Sequence, residues 1–377
     1  MQGADPLKVV AMPGQHPPVA IEIPAMRRSV SAERSPPRDP AVVHESWVDA
    51  ARLLAAFLIV SVHVLNLDRR FQELPVGSHA WIAVDFLTAA TRWALPLFVM
   101  VSGYFLLDPG RELDWQTYYA RRVRRILWPL LAWTLLYLAI VACDAALAGR
   151  PVPIAAMLTM VIKGTPYYHL WYLYMIPGLY LVAPFVKLAT DRMSAGQLHA
   201  ATALCFAVTV FSAAIDGLWS VPNATYIDDF PRYLGYFLAG HLLGRVWRPK
   251  AAPSVAVLLI SILLAAGLAW TVALTLSPAR ALRVFGFGDP AVIAMSLAAF
   301  VLTRRLAVAV SYRVWLAQAG NASLGIYLVH PAILDVLRHW SYPNAVPVLA
   351  SQVIAVFLAS VLVVLGVQQV PALRRIV

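Results

Sequence analysis

One apolar segment carries two ionisable side chains, Arg52 and His63, eleven residues apart. Eleven steps of about 100° return to nearly the same face of an α-helix, about 16 Å further along its axis. One face of one membrane helix would therefore carry a guanidinium near one end and an imidazole deeper inside. Ionisable groups within a span are costly and by default indicate a functional site. The structural alternative is a snorkelling arginine and a lone interhelical histidine.

Two acidic residues are predicted to lie beside arginines on the same helix face. Asp49 precedes Arg52 by three residues, so its carboxylate can cap the helix N-terminus and hold the guanidinium. A cap with a surface ion pair explains the same spacing, and the sequence leaves both interpretations open. Asp85 and Arg92 are seven residues apart in the next apolar segment, which predicts intramembrane partners within or across helices.

A further group of residues is predicted to lie near the cytoplasmic face. Its members are Ser102, Tyr104, Arg121, Arg122, Arg124 and Arg125. Guanidinium groups match phosphate geometry, so the arginines could dock a nucleotide-phosphate donor such as coenzyme A. The structural alternative is a basic loop that sets topology and touches anionic lipid. Gly103 allows close approach of a ligand or, more commonly, of a neighbouring helix.

A third group is predicted to lie in the outer half of the membrane. Its members are His169, Trp171, Tyr327 and His330. Aromatic residues at this depth often form the interfacial belt, but aromatic faces also pack on sugar rings. His63, His169 and His330 fall at similar depths. Their spacing fits no zinc pattern and no acidic ligand accompanies them, so we predict no metal site.

The composition is that of a polytopic membrane protein. Of 377 residues, 60% are hydrophobic and only 13% are charged, against about 25% charged in a soluble domain. The net charge of +11 follows from basic cytoplasmic loops and does not indicate a nucleic-acid partner. The two cysteines lie in apolar segments and give neither a disulfide framework nor a metal spacing.

Hydropathy predicts an all-α transmembrane helix bundle of about ten spans. The apolar runs are 50–67, 80–107, 126–148, 168–188, 197–216, 231–247, 253–276, 289–309, 320–337 and 346–367. Placing both termini inside puts most of the lysines and arginines on the cytoplasmic side. Residues 1–45 contain no sustained apolar run, so we predict a disordered, basic, proline-rich cytoplasmic tail before a membrane domain at 46–377.

At these positions the chain resembles the acyltransferase 3 family of integral-membrane acyltransferases, in particular its surface-polysaccharide O-acetyltransferase branch. The resemblance covers about residues 46–370, with its motifs in order. The matching residues are Asp49, Arg52 and His63, the run 98–104, the arginines 121–125 leading to Pro129, His169, Trp171 and Pro184, and the run 323–330. The hydrolase-like extracytoplasmic domain of some relatives does not appear in this chain.

The resemblance implies transfer of an acyl group, most often acetyl, from acyl-coenzyme A as co-substrate to a hydroxyl of a surface, exported or lipid-linked polysaccharide. It implies His63 as the catalytic histidine and Arg52 as its partner in the motif. It also implies that Ser102, Tyr104 and the arginines at 121, 122, 124 and 125 lie near the donor, and that His169, Trp171, Tyr327 and His330 lie on the acceptor side. Carbohydrate, membrane lipid and the polysaccharide assembly or export machinery are the expected partners, and the bacterial inner membrane is the expected location. The rival hypotheses are a glycolipid carrier or flippase without acyl chemistry, and a structural subunit.

Overall fold

The computed structural model describes residues 45–67, 75, 77–219, 225–247, 249, 251, 253–276, 286–307, 314–338 and 346–377. All the regular secondary structure in these ranges is helical, as the sequence predicts. The predicted N-terminal tail lies outside the described residues, apart from Glu45 at its end.

The described residues form fourteen α-helices, which are numbered in chain order. They are α1 (Ser46–Leu67), α2 (His79–Thr91), α3 (Ala94–Leu106), α4 (Trp115–Arg122), α5 (Trp128–Leu147), α6 (Ile154–Lys163), α7 (Trp171–Thr190), α8 (Ala195–Trp219), α9 (Leu234–His241), α10 (Val255–Leu276), α11 (Pro290–Ala307), α12 (Val314–Asn321), α13 (Ser323–Arg338) and α14 (Val346–Gln368). Short turns of other helix types link some of them, including a π-helix at Val123–Leu127 and a 3₁₀-helix at Leu373–Arg375.

Six helical stretches in the described residues are long and apolar enough to cross a membrane. Shorter apolar helices accompany them, so the fold is a polytopic helical bundle. Each of the ten predicted spans coincides with a helix or a pair of helices. That the shorter apolar helices also cross the membrane remains a prediction. The short helix α6 lies between the third and fourth predicted spans, and the sequence analysis did not predict it.

The predicted span 80–107 coincides with one membrane-length stretch, His79–Leu106, in which Arg92 and Trp93 form a short turn between α2 and α3. One prediction about local structure was wrong. The arginine-rich segment before the third span is not a loop. It forms α4 and the π-helix, which continue directly into α5. A π-helix is wider than an α-helix and shifts the side-chain register, so the arginines face more than one direction.

Helix α1 lies at the centre of the bundle and packs against α2, α3, α11, α12, α13 and α14. Helices α3 and α9 pack with their backbones in contact. A Cβ added at Gly103 would lie within 1.8 Å of the Phe237 carbonyl oxygen, and one added at Gly240 would lie equally close to that of Met100. Small residues permit such close approach in membrane bundles. These glycines therefore serve helix packing, the commoner of the two roles considered for Gly103.

Candidate active site

His63 forms a hydrogen-bonded pair with His330. The Nδ1 atom of His63 lies 2.7 Å from Nε2 of His330, and the two rings are stacked, 5° from parallel. His63 comes from α1, which is one continuous helix as predicted, and His330 comes from the middle of α13. His330 is fully buried, whereas His63 is only half-buried. The pair therefore has one enclosed member and one that a substrate can approach.

The hydrogen bonds of the pair assign its protons. Nδ1 of His330 lies 3.2 Å from the carbonyl oxygen of Ile326, which can only accept. The Nδ1–H of His330 must therefore donate to this oxygen, and Nε2 of a neutral His330 carries a lone pair. His63 then donates its Nδ1–H to His330, so its own lone pair lies on Nε2. The arrangement presents His63 as a base or nucleophile at Nε2.

His169 and Tyr327, which are also predicted to lie in the outer half of the membrane, pack around this pair. The His169 ring lies 5.5 Å from that of His330 and 5.3 Å from that of Tyr327, between centroids. The Tyr327 hydroxyl donates to the main-chain oxygen of His169. His169 is fully buried and Tyr327 nearly so. The structure thus brings His63, His169, Tyr327 and His330 together, with His169 behind the pair rather than at an open surface.

In the described part of the chain, no group of three His, Cys, Asp or Glu side chains is arranged to hold a metal ion. Direct contact between His63 and His330 uses the nitrogen atoms that would otherwise face a shared ion.

Arg52 lies on the same face of α1 as His63, toward the opposite end of the helix. Its guanidinium is 4.0 Å from the Asp49 carboxylate and stands over the Phe105 ring. The charges of Arg122 and Arg125 also act on it. Asp49 is buried in the first turn of α1, against Gly320 at the end of α12. The aspartate therefore lies beside Arg52 as predicted and fixes the start of α1 in the bundle.

Ser102 is connected through Tyr180 to the region that holds Arg52 and Arg122. The Ser102 hydroxyl is hydrogen-bonded to the Tyr180 hydroxyl at 3.1 Å, and also to the carbonyl oxygen of Phe98. The Arg122 guanidinium lies over the Tyr180 ring, 5.1 Å from its centroid, and over the Tyr118 ring at 5.4 Å. These residues form a polar and aromatic cluster at the predicted donor side.

Tyr104 belongs to a different network, although it is only two residues from Ser102. Its hydroxyl donates to the Glu45 carboxylate at 2.6 Å, and the Arg245 guanidinium lies 3.9 Å from its ring centroid. Arg245 in turn pairs with Glu45 and with Asp108. Successive helix positions point in different directions, and Tyr104 is turned toward this ion-pair network rather than toward Tyr180.

The arginine cluster divides between two surfaces. Arg122 faces Tyr118 and Tyr180, whereas Arg121, Arg124 and Arg125 line a separate cleft. Arg125 also acts electrostatically on Arg52, so it lies between the two regions.

Asp85 and Arg92 lie in α2 and at its C-terminal end. Asp85 is fully buried, and the charge of Arg92 acts on its carboxylate. Trp270 of α10 is a second neighbour of the Asp85 side chain. The two residues therefore interact electrostatically within the bundle.

Trp171 lies in an aromatic cluster at the start of α7. The nearest ring centroids are those of Tyr226 at 5.3 Å, Phe287 at 5.7 Å and Tyr233 at 6.1 Å. Asp229 and Arg232, which form an ion pair at 3.0 Å, belong to the same chain segment as the two tyrosines. The structure thus places the Trp171 ring in a different aromatic cluster from that of His169, its near neighbour in sequence.

Two tyrosines were missed by the sequence analysis. Tyr180 connects Ser102 with Arg122, and the buried Tyr172 interacts electrostatically with Arg52 while its ring lies 5.8 Å from that of Tyr327. Both lie on α7 and join the arginine region to the histidine cluster. Their partners are on other helices, and no local spacing in the sequence could have indicated these contacts.

The fold and this site define a helical membrane protein with a histidine pair inside the bundle and a basic cluster at one end. A family model described as "Acyltransferase domain", that of acyltransferase 3, matches residues 45–368. The chain belongs to this family, and its membrane acyltransferase class follows. No curated protein and no solved structure matches the chain. The family match confirms the resemblance found from the motifs, while the polysaccharide O-acetyltransferase branch remains a prediction.

Proposed function

We propose that this protein transfers an acyl group, in the first instance acetyl, from acyl-coenzyme A to a hydroxyl of a surface, exported or lipid-linked polysaccharide. The observation that carries the chemical part of the proposal is the hydrogen bond between His63 and His330. It orients an imidazole whose basic nitrogen is directed away from its partner. The family supplies the acyltransferase class, and the donor, the acceptor and the role of the histidine are parts of this proposal.

In the direct route, Nε2 of His63 takes the proton of the acceptor hydroxyl as its oxygen attacks the thioester carbonyl. A carbon–oxygen bond forms, the carbon–sulfur bond breaks, and the thiolate leaves. The proton held by His63 then passes to the sulfur, so that free coenzyme A and the ester are the products. Positive charge develops on His63 during the attack, and the lone pair of His330 at the Nδ1–H of His63 stabilises it.

In the alternative route, Nε2 of His63 attacks the thioester carbonyl, the carbon–sulfur bond breaks and the coenzyme A thiolate leaves, so that His63 carries the acyl group as an acyl-imidazole that keeps its Nδ1–H. The acceptor oxygen then attacks the acyl carbon, the bond from this carbon to Nε2 breaks, and the hydroxyl proton is released to the thiolate or to water as the ester and neutral His63 form. This route accommodates a donor inside and an acceptor outside. The tautomer assigned from the hydrogen bonds serves both routes equally.

The donor is proposed to enter from the end of α1 that carries Arg52. A continuous α1 separates Arg52 from His63 by about 16 Å, too far for direct activation of the imidazole. Arg52 is therefore assigned to the polar portion of the donor, together with Arg122, Ser102 and Tyr180. Their mutual contacts support a shared binding region. The acceptor is proposed to approach from the side of the protein that carries Trp171. The protein itself is proposed to lie in the bacterial inner membrane.

The test compares wild type with His63→Ala in restoring O-acetyl groups to the surface polysaccharide of a deletion strain, at matched membrane abundance. His199→Ala is the matched control, because His199 lies exposed on α8. We expect restoration by wild type and His199→Ala and none by His63→Ala. Restoration by His63→Ala would refute the catalytic assignment. Loss of the glycan itself in the deletion strain would favour a carrier.

Rapid-quench labelling separates the two routes. Purified protein is mixed with acetyl-coenzyme A carrying a labelled acetyl group, without acceptor. Labelled wild-type protein, with none in His63→Ala, supports the acyl-imidazole. Acetyl transfer without labelled protein supports direct attack.

A further inference from the structure

We propose that Arg374 and Arg375 complete a binding site for a phosphate ester together with Arg121, Arg124 and Arg125. These five arginines line one cleft of about 590 Å³ beside the start of α5. Arg374 and Arg375 lie in the 3₁₀-helix after α14, far in sequence from the other three. The assignment of this ligand as the donor rests on the proposed function, whereas phosphate binding by the cleft does not.

The segment that presents Arg374 and Arg375 is held against the bundle. The indole nitrogen of Trp133 donates to the carbonyl oxygen of Ile376 at 2.7 Å. Val377 packs on α13, where a Cβ added at Gly325 would lie 3.0 Å from its side chain. The two arginines are exposed, but the contacts of Ile376 and Val377 anchor the backbone that follows them. A fixed position lowers the ordering cost of binding a ligand.

The charge of the cleft favours an anionic ligand. No Asp or Glu side chain is among the described residues that line it. Five guanidinium groups that share one cleft repel one another, and a bound anion would relieve this repulsion. Guanidinium forks bind phosphate oxygens in a bidentate manner. A phosphate ester satisfies both the charge and the donor geometry.

The cleft adjoins the Arg52 end of α1. Arg125 lines the cleft and acts electrostatically on Arg52. Asn321 also lines it, and the preceding residue, Gly320, packs directly on Asp49. A nucleotide phosphate bound here would leave the rest of a coenzyme A molecule free to extend along α1. The headgroup of an anionic phospholipid carries the same phosphate chemistry and is the other source.

The experiment uses the full-length protein in nanodiscs and measures two ligands in separate arms. The first arm titrates 3′,5′-ADP and coenzyme A into phosphatidylcholine nanodiscs. The second measures phosphatidylglycerol retained by the protein from mixed nanodiscs. We expect Arg374→Ala/Arg375→Ala to weaken binding in at least one arm by about 10-fold or more, since two charge-assisted contacts are lost. Arg305→Ala, at an exposed arginine of α11, is the matched control.

The outcomes separate the ligand sources. Weakening in the nucleotide arm assigns the cleft to the donor, and weakening in the lipid arm alone assigns it to a phospholipid; either supports a phosphate site. Equal binding by wild type and the double variant in both arms overturns the proposal. Arg374→Lys/Arg375→Lys should bind with intermediate strength, because lysine keeps the charge without the fork. If acyl transfer itself is absent in the wild type, the proposed function fails, and the lipid arm still tests the cleft.

Discussion

His63 and His330 are 267 residues apart in the chain and are joined by one 2.7 Å hydrogen bond inside the membrane bundle. The carbonyl oxygen of Ile326 fixes the proton on the far side of His330. Together these contacts fix which nitrogen of His63 is basic. His330 is therefore a positioning residue in the proposed reaction, since it acts on the acyl group only through His63.

Replacing His330 is expected to lower kcat, and the loss should be smaller when the new side chain keeps a hydrogen-bond acceptor for His63. His330→Gln keeps an oxygen near the former Nε2 and should retain partial activity. His330→Ala removes the acceptor and should lower kcat on the order of 100-fold, with less change in KM for acetyl-coenzyme A. The measurement is acetyl transfer by purified protein over a donor concentration series. Equal activity of both variants with wild type would contradict the positioning role.

Arg122→Ala is expected to raise KM for acetyl-coenzyme A by about 10-fold, because it removes the guanidinium stacked on Tyr118 and Tyr180 beside Arg52. Arg122→Lys should recover part of the loss, since the ammonium keeps the charge but not the planar stack. Arg192→Ala is the control. Arg192 is exposed and is predicted from the sequence to lie on the same, cytoplasmic side of the membrane. An unchanged KM in Arg122→Ala would remove this residue from the donor site.

Gly103→Ala is expected to destabilise the fold by about 1–3 kcal/mol or more. The added methyl group would meet the backbone of Phe237, which cannot rotate away as a side chain can. Thermal unfolding in detergent measures the effect. Gly267→Ala is the matched control, because an added Cβ meets nothing there within 4 Å and alanine favours the helix. Equal melting temperatures for both variants would show that α3 and α9 do not pack so closely.

The stability of the segment before α9 should depend on pH through Asp229. Burial raises the pKa of Asp229 to about 6 from an ordinary value of 3.8, although Arg232 opposes the shift. The folded state therefore binds the proton more tightly than the unfolded state, and this contribution to stability decreases as pH rises from about 4 to 6. Asp229→Asn, which stays neutral, should gain up to about 3 kcal/mol relative to wild type between pH 4 and pH 7.5.

Thermal unfolding of both proteins across this pH range tests the expectation. Asp144→Asn is the control, because Asp144 is exposed and is not among the charges that act on Asp229. The difference in Tm between Asp229→Asn and wild type should widen as pH rises, and the difference between Asp144→Asn and wild type should not follow it. Parallel profiles for all three proteins would count against a buried, proton-binding Asp229.

The sequence determined the class of fold, the family and the placement of Arg52 and His63 on one face of α1. Apolar length predicts membrane helices because unpaired backbone groups cannot lie in lipid, and the spacing of Arg52 and His63 places them on one helix face without any tertiary information. The proximity of Asp49 to Arg52 follows from the same local geometry. These are properties of a single helix, and a sequence specifies them directly.

The tertiary structure alone decided which residues meet across helices. Similar depth suggested that His63 and His330 could approach each other, but only the packing of α1 against α13 places their nitrogen atoms in contact. It likewise turns Tyr104 away from Ser102 and brings Arg375 to Arg121. Rotation of each helix about its own axis depends on the shapes of all its neighbours, and the one-dimensional pattern of a sequence does not contain that information.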